Sequence, residues 1–278
     1  MPESPEEYCA REVRQHDPDR WLTALFAPDS GRPGLLALYA FNSEIARARE
    51  AVSEPMIGQI RLQWWRESWE GIFTDKPRQH PIILALHHHC RTADAGDVMA
   101  LIDGRERDMD PSPIANMTEL LSYARDTSVP LMRLAAQHLG ALQVTEMDHV
   151  LAGAGTAYAL AGLLRATPYL AAQQRVCLPA DRLGAAGLTP AAVYQQPAGG
   201  ALHGVIGAVG EQALSLLNRL HGPRYPRSLL PAILPAVLGR LYLERLLRAG
   251  WDPQSPQAGV STTRKHVALL SAMVTRRL

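Results

Sequence analysis

Proline sets the grammar of this chain. Twenty-one prolines are spread over 278 residues, and a proline ring inside a helix removes a hydrogen bond and collides with the preceding turn. Stretches of helical length lie between them. Gly34 to Glu54 runs from Pro33 to Pro55, bounded on both sides. In Met56 to Phe73 the apolar residues Ile57, Ile60, Leu62, Trp64, Trp65, Trp69 and Ile72 recur largely at three- and four-residue steps, the period of a helix face. The same reading predicts helices over 80–91, 94–109, 116–138, 146–165, 202–220, 229–249 and 262–277. No stretch alternates at period two, β-branched residues are few, and no internal repeat is visible. Residues 185–200, rich in Ala, Gly and Pro, read as a loop with a short turn of helix. The pattern predicts one all-α domain spanning residues 1–278.

Charge and cysteine usage exclude some functions. A net charge of +1 lacks the basic excess of a dedicated nucleic-acid binder. Cys9, Cys90 and Cys177 are scattered without ligand spacing and fit a reducing compartment. The opening MPESPEEYCAREV is acidic and has no apolar stretch, which predicts no signal or transit peptide. The longest uncharged apolar run, Val150 to Leu164, falls short of the roughly 20 residues of a spanning helix. These features predict a soluble, cytoplasmic protein.

Several local clusters invite chemistry. In His87-His88-His89-Cys90 only His87 and Cys90 share a helical face, so the run reads as a solvated helix end rather than a metal site. Gly153-Ala154-Gly155 lacks a preceding strand and a third glycine, so close helix packing explains it better than a dinucleotide loop. Asp103, Glu106 and Asp110 fall on one helical face, but Arg105 and Arg107 are interleaved, as on an ion-paired surface helix. Trp64, Trp65 and Trp69 read as core aromatics. No G-x-S-x-G elbow is present.

Six segments, in order, carry a resemblance over most of the chain: ALYAFNSEIARARE, LQWWRESW, LIDGRERDM, YARDTSVPLM, GLLRATPYLAAQQRVCLPADRL and YLERLLRAGWDP. Together they resemble the squalene/phytoene synthase family, all-helical enzymes that join two prenyl diphosphates head to head. The resemblance implies an isoprenoid synthase-like helical bundle around a central cavity, with 34–54 and 146–170 facing each other across it. It also implies paired aspartates that hold Mg²⁺, because ionising a prenyl diphosphate leaves charge that the metal must neutralise.

At those motif positions this chain departs from the family. The first motif's aspartates are replaced by Ala46, Arg47 and Glu50, and the second motif's by Ala166 and Leu170. Glu50 and Glu54 would form a displaced i, i+4 pair if the helix ran that far, although Pro55 disfavours helix at Glu54. Between Asp148 and Asp181 no acidic residue occurs. Val129 and Met132 stand at two glycine places and would narrow a channel for prenyl tails. The resemblance leaves Tyr39, Arg47, Tyr123, Arg165 and Arg175 as ligand-binding candidates, with no catalytic residue, metal ligand or cofactor. The arginines Arg47, Arg49 and Arg165 suit either a phosphate group or ion pairs with Glu44, Glu50 and neighbours.

A non-synthase branch of the family, the mitochondrial assembly factors for respiratory complex I and their bacterial relatives, is similar in this loss. The resemblance therefore implies a non-catalytic protein with a protein partner. It leaves room for an isoprenoid or lipid ligand, and for peripheral contact at the cytoplasmic membrane face through Val267 to Leu278. Two alternatives stay open: an active head-to-head prenyl synthase, which needs Mg²⁺ and which Glu50, Glu54, Asp103 and Asp108 would have to serve, and a non-catalytic isoprenoid- or lipid-binding protein.

Overall fold

Among the described residues, eight α-helices carry a proline in their first two positions: Pro5, Pro18, Pro33, Pro55, Pro81, Pro130, Pro190 and Pro231. There the missing N–H would have had no partner anyway. The computed structural model describes residues 3–50, 54–141, 146–195 and 199–278, and no strand occurs among them. Their α-helices, in chain order, are α1 (Pro5–His16), α2 (Pro18–Ala24), α3 (Arg32–Ala46), α4 (Pro55–Gly71), α5 (Pro81–His89), α6 (Ala95–Glu106), α7 (Met117–Asp126) and α8 (Val129–His138). They continue as α9 (Asp148–Ala172), α10 (Ala180–Ala185), α11 (Pro190–Tyr194), α12 (Gly199–Asn218), α13 (Leu230–Arg248) and α14 (Thr262–Thr275).

Every predicted helix is present, with three corrections. The segment predicted as 34–54 is helical only to Ala46; residues 47–50 form a turn, and 51–53 lie outside the described residues. The predicted 116–138 is two helices, because Pro130 cannot donate back to Asp126 and its ring displaces that carbonyl. The helix predicted as 146–165 continues to Ala172 through Pro168. The hydroxyl of Thr167 donates to the Leu163 carbonyl at 3.2 Å, one turn back beside the carbonyl that the proline leaves without its usual donor. In the predicted 185–200 loop, α11 is the short turn and 196–198 lie outside the described residues.

Packing divides the chain into two units interleaved in sequence. The first comprises Met1–Pro111, Asp126–Leu151 and Tyr225–Pro235. Its centre is α3, where residues 34–43 are all buried, with α1, α5 and α8 packed on it. Helix α1 is started by a capping box: Ser4 Oγ accepts from Glu7 N–H at 3.1 Å and Glu7 accepts from Ser4 N–H at 2.9 Å, closing two otherwise open donors. Phe41 of α3 meets Trp65 and Trp69 of α4 at ring-centroid distances of 5.4 and 5.9 Å, so these tryptophans are core, as their spacing predicts.

The second unit comprises Ser112–Arg125, Ala152–Arg224 and Ala236–Leu278. The Gly-Ala-Gly run packs as predicted, since a Cβ on Gly153 would lie 3.2 Å from Leu220. Trp251 holds a left-handed backbone at φ 63° and lies across two glycines of α12. A Cβ on Gly207 or Gly210 would come within 2.8 or 2.1 Å of its indole. Helix α9 is long and apolar enough to cross a membrane, yet 56% of its most apolar window is buried inside the protein, as in a core helix.

Candidate functional site

Both regions that the family motifs single out are described, one in each unit. In the first, α3 ends at Ala46, and Arg47 caps it in a non-helical turn. Arg47 donates to Glu44 at 2.5 Å and to the Ser43 carbonyl at 3.3 Å, and its guanidinium lies 3.8 Å from Glu12. Arg61 of α4 reaches the other oxygen of Glu44 at 3.3 Å. The Glu44 carboxylate is thus held between two guanidinium groups, as the ion-pair reading of Arg47 anticipates.

Glu50 is exposed in the turn, and Glu54 has the extended backbone of a residue before proline. The displaced Glu50/Glu54 helical pair is therefore overturned. Tyr39 is buried on α3, where desolvation pushes its phenol far above the ordinary range. The Arg20 guanidinium lies 5.6 Å from its ring.

The acidic face of α6 is ion-paired, but chiefly by an arginine from another helix. Arg66 of α4 contacts Asp103 at 2.6 Å and Glu106 at 2.9 Å. Arg105 pairs with Asp108 at 3.5 Å and Arg107 with Asp126 at 3.6 Å. Val129 and Met132 are buried in α8.

In the second unit, Ala166 and Leu170 lie on α9, Leu170 being buried. Arg165 lays its guanidinium on the face of Tyr242 of α13, 3.5 Å from the ring centroid. The Lys265 ammonium lies 5.2 Å from the same ring. Such contacts trade on the negative face of the π-system. Arg165, Tyr242, Leu246, Pro253, Ser255, Pro256, Ala258 and Gly259 line a pocket of about 240 Å³, and none of them is acidic. Arg175 stands in the turn after α9 and Tyr123 is buried on α7; neither lines this pocket. A pocket of this size with a guanidinium at its wall suits a small anion or the head of a larger ligand, and it offers no carboxylate for a cation.

Tyr242, Lys265 and the 253–259 loop were not among the residues picked from sequence. The first stands in the quoted YLERLLRAGWDP segment, which was the available signal. Leu246 and Pro253 stand in it too; the residues from Ser255 to Lys265 follow it, and no spacing rule links them to Arg165.

The histidine run behaves differently from its helical-face reading. His87 and Cys90 do not form a pair: the His87 ring donates to the Ile72 carbonyl at 2.6 Å, and the Cys90 thiol points at the Gly34 carbonyl at 3.6 Å. Burial pushes the Cys9 and Cys90 thiols up to about 12, which leaves them protonated. His88 and His89 instead converge on Glu6 of α1.

Comparison with known proteins places the chain. Residues 13–265 match the sequence pattern of squalene/phytoene synthase. The chain is similar to NADH dehydrogenase (ubiquinone) complex I, assembly factor 6, of Bos taurus, at 30% identity over 88% of this chain and 74% of that protein. Its similarity to the Homo sapiens protein of the same name is 29% over the same shares. Among solved structures, a dehydrosqualene synthase aligns with TM-score 0.79 at 15% identity, covering 97% of this chain and 95% of that one. The squalene synthase HpnC of Alicyclobacillus acidocaldarius aligns with TM-score 0.76 at 22% identity, covering 90% and 95%. The all-helical isoprenoid synthase fold is therefore that of this protein, and the chain belongs to the squalene/phytoene synthase family.

Proposed function

We propose that this chain is a non-catalytic member of its family, a single domain that acts as an assembly factor for NADH dehydrogenase (ubiquinone) complex I by binding a protein partner. Relatives of that name, similar over 88% of the chain, support the role. One observation carries the non-catalytic part: the second aspartate place of the first motif is Arg47, and its charge is engaged with the neighbouring Glu44. A guanidinium there repels Mg²⁺, and the only carboxylate within its reach on α3 is already doubly paired. Ala166 and Leu170 offer no carboxylate at the second motif, so they cannot hold a Mg²⁺ there to neutralise a departing diphosphate.

We infer that it acts at a membrane surface. Val267, Leu270 and Val274 are 61%, 54% and 82% exposed and fall at i, i+3 and i+7 on α14. Exposed Arg264 and Arg277 flank them, and no acidic side chain follows Asp252. An apolar stripe edged by basic residues fits the interface of an anionic bilayer.

Deleting the gene and assaying complex I assembly together with isoprenoid content tests the role. Assembled complex I should fall while C30 and C40 isoprenoids stay unchanged. Unchanged complex I with a lost isoprenoid would reject the assembly-factor reading and restore the synthase. In vitro, farnesyl or geranylgeranyl diphosphate with Mg²⁺ should give no squalene or phytoene; product formation abolished by a chelator would overturn the loss of chemistry. Sedimentation with phosphatidylserine-containing vesicles should be lost in Leu270→Glu/Val274→Glu, and equal binding by that variant would remove α14 from the membrane contact.

A further inference from the structure

We propose that Glu6, His88 and His89 form a binding site for a borderline divalent cation of the zinc type, clipping α1 to α5. This goes beyond the proposed function and does not rest on it. The nitrogen Nδ1 of His88 and Nε2 of His89 each lie 3.1 Å from the same oxygen, Oε1 of Glu6. All three ligand atoms lie within 4.8 Å of one another. Ligands held about 2.0–2.1 Å from one metal stand about 2.9 Å apart at octahedral angles and about 3.4 Å apart at tetrahedral angles. The two observed separations fall inside that range.

Adjacent helical residues point in different directions, which is why the sequence argues against such a site. The structure resolves this by using a different reach from each ring: the near nitrogen of His88 and the far nitrogen of His89. Close packing brings the last turn of α5 to the first turn of α1. Gly34 on α3 helps, since a Cβ there would lie 2.9 Å from the His89 Cβ and 2.3 Å from the His138 ring. With no side chain at Gly34, α5 can close onto α3 and carry His89 towards Glu6.

The donor set chooses the metal class. Two imidazoles and one carboxylate, with the remaining positions open to water, match zinc and its neighbours in the first transition row. Mg²⁺ prefers an all-oxygen shell. The side chains of Glu6, His88 and His89 are 31%, 50% and 29% exposed, so a cation can enter from solvent without opening the fold. Without metal, each ring donates an N–H to Glu6. Coordination requires each ring to carry its proton on its other nitrogen instead.

The test uses the full chain without an affinity tag, stripped of metal, titrated with ZnCl₂ by calorimetry and followed by thermal unfolding. One Zn²⁺ per chain and a raised melting temperature are expected. Glu6→Gln and His89→Ala should each weaken the site at least about tenfold, while His266→Ala on α14 leaves it unchanged. Absence of binding, or equal binding by all three variants, would show a metal-free hydrogen-bonded cluster and overturn the proposal. Because Glu6 and His89 also tie two helices together, X-ray absorption on the unsubstituted protein gives an independent reading. Two imidazole nitrogens in the first shell support the site; a sulfur ligand or a single imidazole rejects it.

Discussion

The two motif regions hold their arginines in different ways. At the end of α3 the positive charge of Arg47 is absorbed by acids: Glu44 sits between Arg47 and Arg61, with Glu12 nearby. On α9, Arg165 lies on an aromatic ring in a pocket whose lining has no acid. The first region has become an ion-paired turn, in which electrostatics are satisfied internally. The second keeps an open concavity with a cation at its wall. An ion-paired turn and an open concavity should respond differently to substitution.

The largest effect should come from the aromatic support of the first region. Trp69→Ala removes a buried indole packed against Phe41 and should cost about 4 kcal/mol in urea unfolding. A loss under about 1 kcal/mol would mean that α4 does not depend on this contact. Next comes the cradle that sets the loop of the second region. Gly210→Ala should cost about 2–3 kcal/mol, because its Cβ would lie 2.1 Å from the rigid Trp251 ring. Gly58→Ala in the first unit collides with the end of the Met109 side chain, at 2.5 Å, and should cost about 1 kcal/mol because that flexible chain can move aside.

The ion-paired turn sharpens the contrast. Glu44→Gln leaves Arg47 and Arg61 facing an amide and should lower stability by about 1 kcal/mol at low salt, with the difference shrinking in high salt. Arg165→Ala should cost about 0.5 kcal/mol through the lost contact with the Tyr242 ring. A loss at Arg165 larger than that at Glu44 would erase the distinction between the regions.

A further test is pH, and it bears on the first unit. Burial lowers the pKa of His80, opposed by Glu44. Burial also lowers that of His138, opposed by its hydrogen bond to the Gly31 carbonyl. Both rings titrate lower in the folded chain, so the unfolded chain takes up more protons below the ordinary histidine value of 6.5. Their contribution is present above that pH and is lost as pH falls through the folded values. Urea midpoints should decline below pH 6.5, before the carboxylates protonate, and His80→Gln/His138→Gln should flatten that decline. A decline of equal size in the double variant would assign it to other groups.

The sequence by itself determined the all-α class, most of the helix positions and the lack of a carboxyl side chain at positions 46, 47, 166 and 170. Those properties are local. Proline has no N–H wherever it stands, a three-to-four-residue apolar period defines a helix face, and Ala46, Arg47, Ala166 and Leu170 cannot supply a carboxylate. It also exposed the i, i+3 pairing of Arg47 with Glu44, which requires only one turn of helix.

What depended on direction and reach was decided by the tertiary structure. The helix stops at Ala46 rather than Glu54, and the acids of α6 answer to Arg66 from α4. Tyr242 and the 253–259 loop meet Arg165 from beyond residue 240. His88 and His89 reach one oxygen although they share no helical face. Each of these contacts joins residues distant in the chain or depends on which atom of a long side chain does the reaching. Periodicity records where a Cβ points, and it does not specify where a guanidinium or an imidazole ends.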